Sequence, residues 1–174
     1  PGLYPPFAMG PDDSYPVRLS GAVQESGRNR MTVFFRIFMI IPHVIILEFI
    51  GVAVSVVTLL AWFAILFTGK YPAGLMNFAI NAMHWQTRLS GYAWLLTGTY
   101  PPFAMGADAA YPVRLIAEGQ IEGRNRLTVF FRYFMLIPQI LVLYFVLIAA
   151  GVVLMISWLV ALFTGSVPAG MHNF

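Results

Sequence analysis

Glu48 is the residue whose placement most invites chemistry, a carboxylate inside the otherwise apolar run IPHVIILEFIGVAVSVV. A charge at the centre of a membrane helix costs roughly 2.5–3.5 kcal/mol on insertion scales, so it must be paired, hydrated or set in a cavity. Further along, Asn77, Asn81, His84 and Arg88 fall at i, i+4, i+7 and i+11, one stripe of a helix. Glu48 lies about 9 Å along its run from Pro42, a depth comparable to that of Arg88 if the two helices fold as a hairpin. The expected chemistry is a Glu48–Arg88 ion pair locking that hairpin. An ion or proton path through Glu48, His84 and Arg88 is the alternative, and a Glu48 satisfied by headgroups, water or another subunit is the third.

The other chemistry-bearing residues point to less. His43, His84 and His172 do not cluster at metal-ligand spacing. His84 reads as a hydrogen-bonding member of the stripe in preference to an axial ligand for haem or chlorophyll. Asp12 and Asp13 read as turn residues, with no base or nucleophile at close spacing. The absence of cysteine removes disulfides, thiolate metal sites and thiol catalysis, and no GxSxG, Walker loop or HExxH is present. No enzyme, cofactor or metal is expected.

The elements that hold these residues are set by composition. The chain is 59% hydrophobic and 10% charged, against roughly 25% charged in soluble domains, so it lacks the polar residues for a fully wetted surface. From Arg132 to Phe174 there is no further Asp, Glu, Lys or Arg, and an apolar stretch of about 18 residues or more reads as a membrane span. The net charge of +3 resides in arginines flanking apolar segments, which suits anionic lipid headgroups better than nucleic acid.

The chain aligns with itself at an offset of 96 without gaps, Gly2–Phe78 on Gly98–Phe174, with 43 of the 77 pairs identical. YPPFAMG, YPVRL, GRNR, TVFFR, LFTG and PAG all recur, so the period is one structural unit. Unit 1 is residues 1–96 and unit 2 residues 97–174. Tyr144 stands in unit 2 where unit 1 has Glu48, which argues against a duplicated transport site.

Each unit opens with a proline-rich extended segment in which YPVRL is a possible short strand. Arg28, Thr32 and Arg36, like Arg124, Thr128 and Arg132, then recur every four residues among phenylalanines, the pattern of a basic helix lying in the headgroup plane; the wet first turns of the span are the alternative. Pro42 and Pro138 fit the first turn of a new helix, and Pro42 to Gly69 spans about 42 Å at 1.5 Å per residue, enough to cross. Trp62 and Trp158 suit an interfacial aromatic belt. Residues 73–96 form the more polar second helix. If the basic groups Arg28, Arg30, Arg36 and Arg124, Arg126, Arg132 all face the cytoplasm, an even number of crossings separates them and this second helix spans too.

The order YPVRL, an arginine-led FFR segment, IPH and WFAILFTGKYPAG resembles a bacterial membrane-protein family common in actinobacteria, domain of unknown function 4389. The resemblance covers nearly the whole chain as two copies. Unit 2 has Gln139 in place of His43, and its second helix is cut short. It implies a small polytopic protein and supplies no catalytic residues.

The expected fold is therefore all-α and integral to the membrane: two tandem repeats, each an interfacial amphipathic helix and a transmembrane hairpin, with short extended segments between. A fourth span is expected beyond Phe174. The expected function is a non-catalytic structural or accessory subunit of a bacterial plasma-membrane complex, partnered by lipid and by other membrane subunits or itself. A small oligomeric ion or lipid transporter using the second helix's polar stripe is the alternative.

Overall fold

The computed structural model describes residues 4, 5, 7, 15–24, 27 and 29–167. Its elements run β1 (Val17–Gly21), α1 (Arg30–Thr68), α2 (Ala73–Ala93), β2 (Val113–Ala117) and α3 (Arg126–Thr164). Both possible YPVRL strands are formed, and they pair with each other.

The repeated motifs GRNR and LFTG are the start and stop signals of the two long helices. Asn29 caps α1, its side chain accepting from the Met31 N–H at 2.9 Å. Asn125 caps α3 in the same way, accepting from the Leu127 and Thr128 N–H groups. At the far ends Gly69 and Gly165 take φ of 74° and 76°, and their N–H groups close the last turns on Ile65 and Ala161. That left-handed cap favours glycine, which pays no Cβ penalty there.

Between these caps each helix is continuous for 39 residues, with Pro42 or Pro138 inside it. The expected separate in-plane helix, ending before the proline, is not formed. A proline inside a helix removes one hydrogen bond, here to the carbonyls of Phe38 and Phe134, and the helix carries on because no capping group stands beside the proline to end it. At 1.5 Å per residue each helix is about 58 Å long, well beyond the roughly 30 Å of a bilayer's hydrocarbon core.

Contacts between positions related by the 96-residue offset are reciprocal. β1 and β2 are antiparallel with Leu19 opposite Leu115, two residues that the 96-residue offset makes equivalent. The helices repeat the reciprocity: the Trp62 indole donates to the Val129 carbonyl and the Trp158 indole to the Val33 carbonyl, each at 3.1 Å. The opening tyrosines are exchanged as well, Tyr100 donating to the Met39 carbonyl at 3.2 Å and Tyr4 to that of Met135 at 2.6 Å. This is the contact pattern of a symmetric dimer, residue i on j and j on i, written into one chain.

It follows that α1 and α3 are antiparallel. The start of α3 lies by the end of α1, where the Arg126 guanidinium comes within 3.5 Å of a Cβ built on Gly69 and Lys70 pairs with Glu122 at 2.8 Å. The arginine-led starts of the two helices are thus at opposite ends of the pair, against the expectation that they share one side. The segment after α2 accounts for the difference. Gly91 meets Val113 and, nearer the other end of α2, Gly119 meets Met76, so the β2 segment runs back along α2 and returns the chain to Tyr71, whose N–H donates to Ile121 at 2.9 Å.

Among the described residues, α1 and α3 are the two helices long and apolar enough to cross a membrane. α2, expected to span as well, is not one of them. Its Asn77, Asn81, His84, Gln86 and Arg88 dilute its apolar character, and it is buried by protein, between the first half of α1 and β2. No glycine ends it. Leu95 instead takes φ of 60°, held by burial of its side chain with Val33 and Ala161.

Candidate functional site

The polar stripe is assembled on α2 at the level where α1, β2 and the loop after α2 converge. Arg88 sits at its centre, 3% exposed. Its guanidinium donates to the carbonyls of Gly106, at 2.6 Å, and Ala104. Gly106 is held in reach by its own N–H, which donates to the Asn81 carbonyl at 3.1 Å, and it takes φ of 100°, a backbone state that favours glycine. The Tyr111 hydroxyl donates to Thr99 at 2.8 Å and reaches the Arg88 carbonyl at 3.4 Å. Burial pushes the Tyr111 phenol up to about 12, with Arg36 and Arg88 pulling the other way.

A second arginine lies one turn further on. Arg36 of α1, 2% exposed, donates to the Tyr92 carbonyl at 2.6 Å and stands 4.1 Å over the Tyr92 ring. A cation on the last-turn carbonyl of a helix meets both an orphan acceptor and the negative end of the helix dipole. This corrects the expectation that Arg36 faces lipid headgroups. Its helical spacing is unchanged, but the face it occupies is the one α2 covers.

Between the arginines His43, wholly buried, accepts from the Trp85 indole at its Nδ1, 3.0 Å away. Its ring stacks on Phe103, centroids 3.7 Å apart, with Tyr100 edge-on.

The remaining expected residues are spread out. Glu48 is exposed on α1 and shares a shallow cleft with Gln86 and Ser90. It does not meet Arg88, whose guanidinium is taken up by the two loop carbonyls. Equal depth does not bring two residues together: Gln86 and Ser90 are each two positions from Arg88, about 200° round the helix. Asn77 is exposed. His84 is half-buried and lines a cleft of about 270 Å³ with Arg88, Asp108 and Arg114. Arg30 and Arg126 are exposed at the two helix starts. Arg124 is half-buried, bonded to the Gln120 carbonyl and 4.9 Å over the Tyr71 ring, and Arg132 is half-buried beside Tyr4 and Tyr15. Arg28, Asp12, Asp13 and His172 lie outside the described residues. Among those described, no three His, Cys, Asp or Glu side chains gather as a metal site would require.

His43, Trp85, Tyr92 and Tyr111 belong to this centre and lie outside the set of site residues expected from the sequence. YPVRL, one of the repeated motifs, carries Tyr111, and IPH, which unit 2 replaces with IPQ, carries His43. What the arrangement does chemically is saturate backbone carbonyls with guanidinium and phenol donors, so that a loop, two helices and a strand are tied at one point.

Residues 30–105 and 126–174 match the family described as a domain of unknown function (DUF4389). The chain belongs to that family. Both matched segments begin at the first residue of a long helix, and the first runs through the Arg88 clamp to Met105. No curated protein and no solved structure matches the chain.

Proposed function

We propose that the protein is a non-catalytic structural subunit of a bacterial membrane assembly, with α1 and α3 embedded in the bilayer. One observation carries this reading. Arg36, His43 and Arg88 are buried and make their hydrogen bonds to groups of the chain itself, while the two long apolar helices leave most of their large apolar side chains exposed. Arg88 and Arg36 bind carbonyls, His43 binds Trp85, and the 104–106 loop covers the Arg88 end of the stripe. By contrast Phe49, Val52, Phe67, Phe145, Met155 and Phe163 are all exposed, a surface that only lipid or other helices satisfy. Arg30 and Arg126, at opposite ends of the helix pair, meet anionic headgroups of opposite leaflets.

A second reading has its own support. Two repeats in reciprocal contact and running in opposite directions are the construction of many secondary transporters, which keeps a small ion or lipid carrier in play. Purification of tagged protein in mild detergent with quantitative mass spectrometry, alongside flux assays in proteoliposomes, separates the two. The structural reading expects unrelated membrane subunits at fixed stoichiometry and no flux. A homo-oligomer that conducts, and loses conductance on His84→Ala, overturns it.

A further inference from the structure

Two hydrogen bonds fix the level of Glu48 along the long helices. Trp62 of α1 donates to Val129 of α3, and Trp158 of α3 donates to Val33 of α1. Glu48 lies midway between Val33 and Trp62, about 21–23 Å from each at 1.5 Å per residue. A hydrocarbon core roughly 30 Å thick, centred on the clasped pair, has Glu48 at its midplane, beyond the reach of headgroups. There the side chain is exposed and borders a cleft of about 370 Å³ between α1 and α2. Both walls belong to unit 1, and the helix that α2 packs on is α1 alone.

The cleft has the composition of a small-molecule site, an apolar lining with a few polar groups set in it. Leu47 and Met83 are among the apolar side chains; the polar groups are the Glu48 carboxylate, the Gln86 amide and the Ser90 hydroxyl. No lysine, arginine or histidine lines it, and among the described residues no ion pair engages Glu48. Gly51, one turn from Glu48, keeps the space open, since a Cβ there would meet nothing within 4 Å. At the 96-residue offset unit 2 has Tyr144 for Glu48 and Leu147 for Gly51, so the charge and the space beside it are replaced together.

We propose that this cleft is a binding site for a hydrophobic organic cation, a monovalent ammonium or phosphonium carried on apolar groups. A carboxylate in hydrocarbon is costly unless it is paired, and its counterion must be one that enters hydrocarbon itself. A hard metal ion needs about six or more oxygens, which one carboxylate, one amide and one hydroxyl do not supply. An organic cation needs one counter-charge, with Gln86 and Ser90 to orient it and the apolar walls against its substituents. An anion or a neutral amphiphile would leave Glu48 uncompensated. The site rests on the proposed placement of α1 and α3 in the bilayer and on neither functional role, because a resident amphiphile and a carried one use the same contacts.

Tetraphenylphosphonium and tetraphenylborate have nearly the same shape and opposite charge, which separates a site from apolar uptake. Binding of each to the purified protein is measured by equilibrium dialysis in a non-ionic detergent. The expected result is saturable binding of one phosphonium per chain and none of the borate. Affinity should fall at least about tenfold with Glu48→Gln, whose melting transition matches the parent's, and likewise with Gly51→Leu, which fills the cleft. Equal affinity for the two ions, or an affinity unchanged by Glu48→Gln, overturns the proposal. So does a protein that binds no phosphonium and forms a dimer that Glu48→Gln separates, since a second copy then fills the cleft. Alkaline extraction of membranes tests the placement on its own. Protein released without detergent overturns the placement and the site together, whereas protein that needs detergent and binds no phosphonium fails at the cleft alone.

Discussion

The most apolar helices of this protein are its least covered, and its most polar helix is its best buried. α1 and α3 have long runs of leucine, isoleucine, valine and phenylalanine open on their outer faces, whereas α2, with Asn81, His84 and Arg88, buries eight residues against α1, β2 and the intervening loop. In water this would be inverted. The contrast separates two ways of stabilising a helix: α1 and α3 rest on the surrounding medium, and α2 on specific donors and acceptors within the chain. Substitutions in the two regions therefore differ in kind.

The largest effect is expected at the Arg88 clamp. Arg88→Leu leaves the Ala104 and Gly106 carbonyls without their donor at a cost of about 2–5 kcal/mol in thermal unfolding in micelles, while Glu48→Gln, on the neighbouring face, leaves the transition where it was. Loss of stability from Glu48→Gln as large as that from Arg88→Leu would revive the ion pair between them. Next comes the close approach of α2 to β2. A Cβ at position 91 would lie 3.0 Å from three carbons of Val113, so Gly91→Leu is expected to cost about 1–3 kcal/mol, part of it recovered with Val113→Ala. Third are the two exchanged indoles. Trp62→Phe and Trp158→Phe each remove one donor to a helix carbonyl and should each cost about 1 kcal/mol; equal losses would support the reciprocity, and unequal ones would break it. On the bare shafts, Val52→Leu should change stability by no more than about 0.5 kcal/mol.

The smallest effect is expected at the exposed Lys70–Glu122 pair, and it is a pH dependence. The Lys70 ammonium holds the Glu122 carboxyl below its ordinary value of 4.5, and the carboxylate holds Lys70 above 10.5. A depressed carboxyl stabilises above its unfolded pKa and loses that contribution as pH falls through its folded value. A raised ammonium stabilises below its unfolded pKa and loses it as pH rises through its folded value. The pair thus contributes across the neutral range and fades at both ends, and a Lys70→Met protein should have a flatter profile of melting temperature between pH 3 and pH 5, by about as little as surface pairs usually give.

Much of the frame was legible in the sequence, because its signals are local. An asparagine before a long apolar run and a glycine after it cap α1 and α3, and YPVRL is extended in both copies. The duplication was legible too, from identity at one offset. What escaped was which unit covers which. Periodicity identifies the face of TVFFR that is not apolar, but Arg36 reads the same whether that face meets headgroups or the end of another helix. The Glu48–Arg88 pairing failed for a related reason, since residue counting gives height along a helix and says little of direction round a neighbour. Pro42 looked like a boundary because proline is a common first residue of a helix; whether the preceding turn also carries a cap decides the matter, and here it does not.

The exchange of Trp62 and Trp158 between the halves also has a consequence for biosynthesis. The Val33 carbonyl waits for an indole 125 residues further along the chain, and at about 5–20 residues per second the ribosome needs roughly 6–25 s to deliver it. Through that interval the first half emerges with one flank unclasped, so a nascent chain stalled before Trp158 should be held by the insertion machinery or a chaperone, and released when the second half arrives to close the pair.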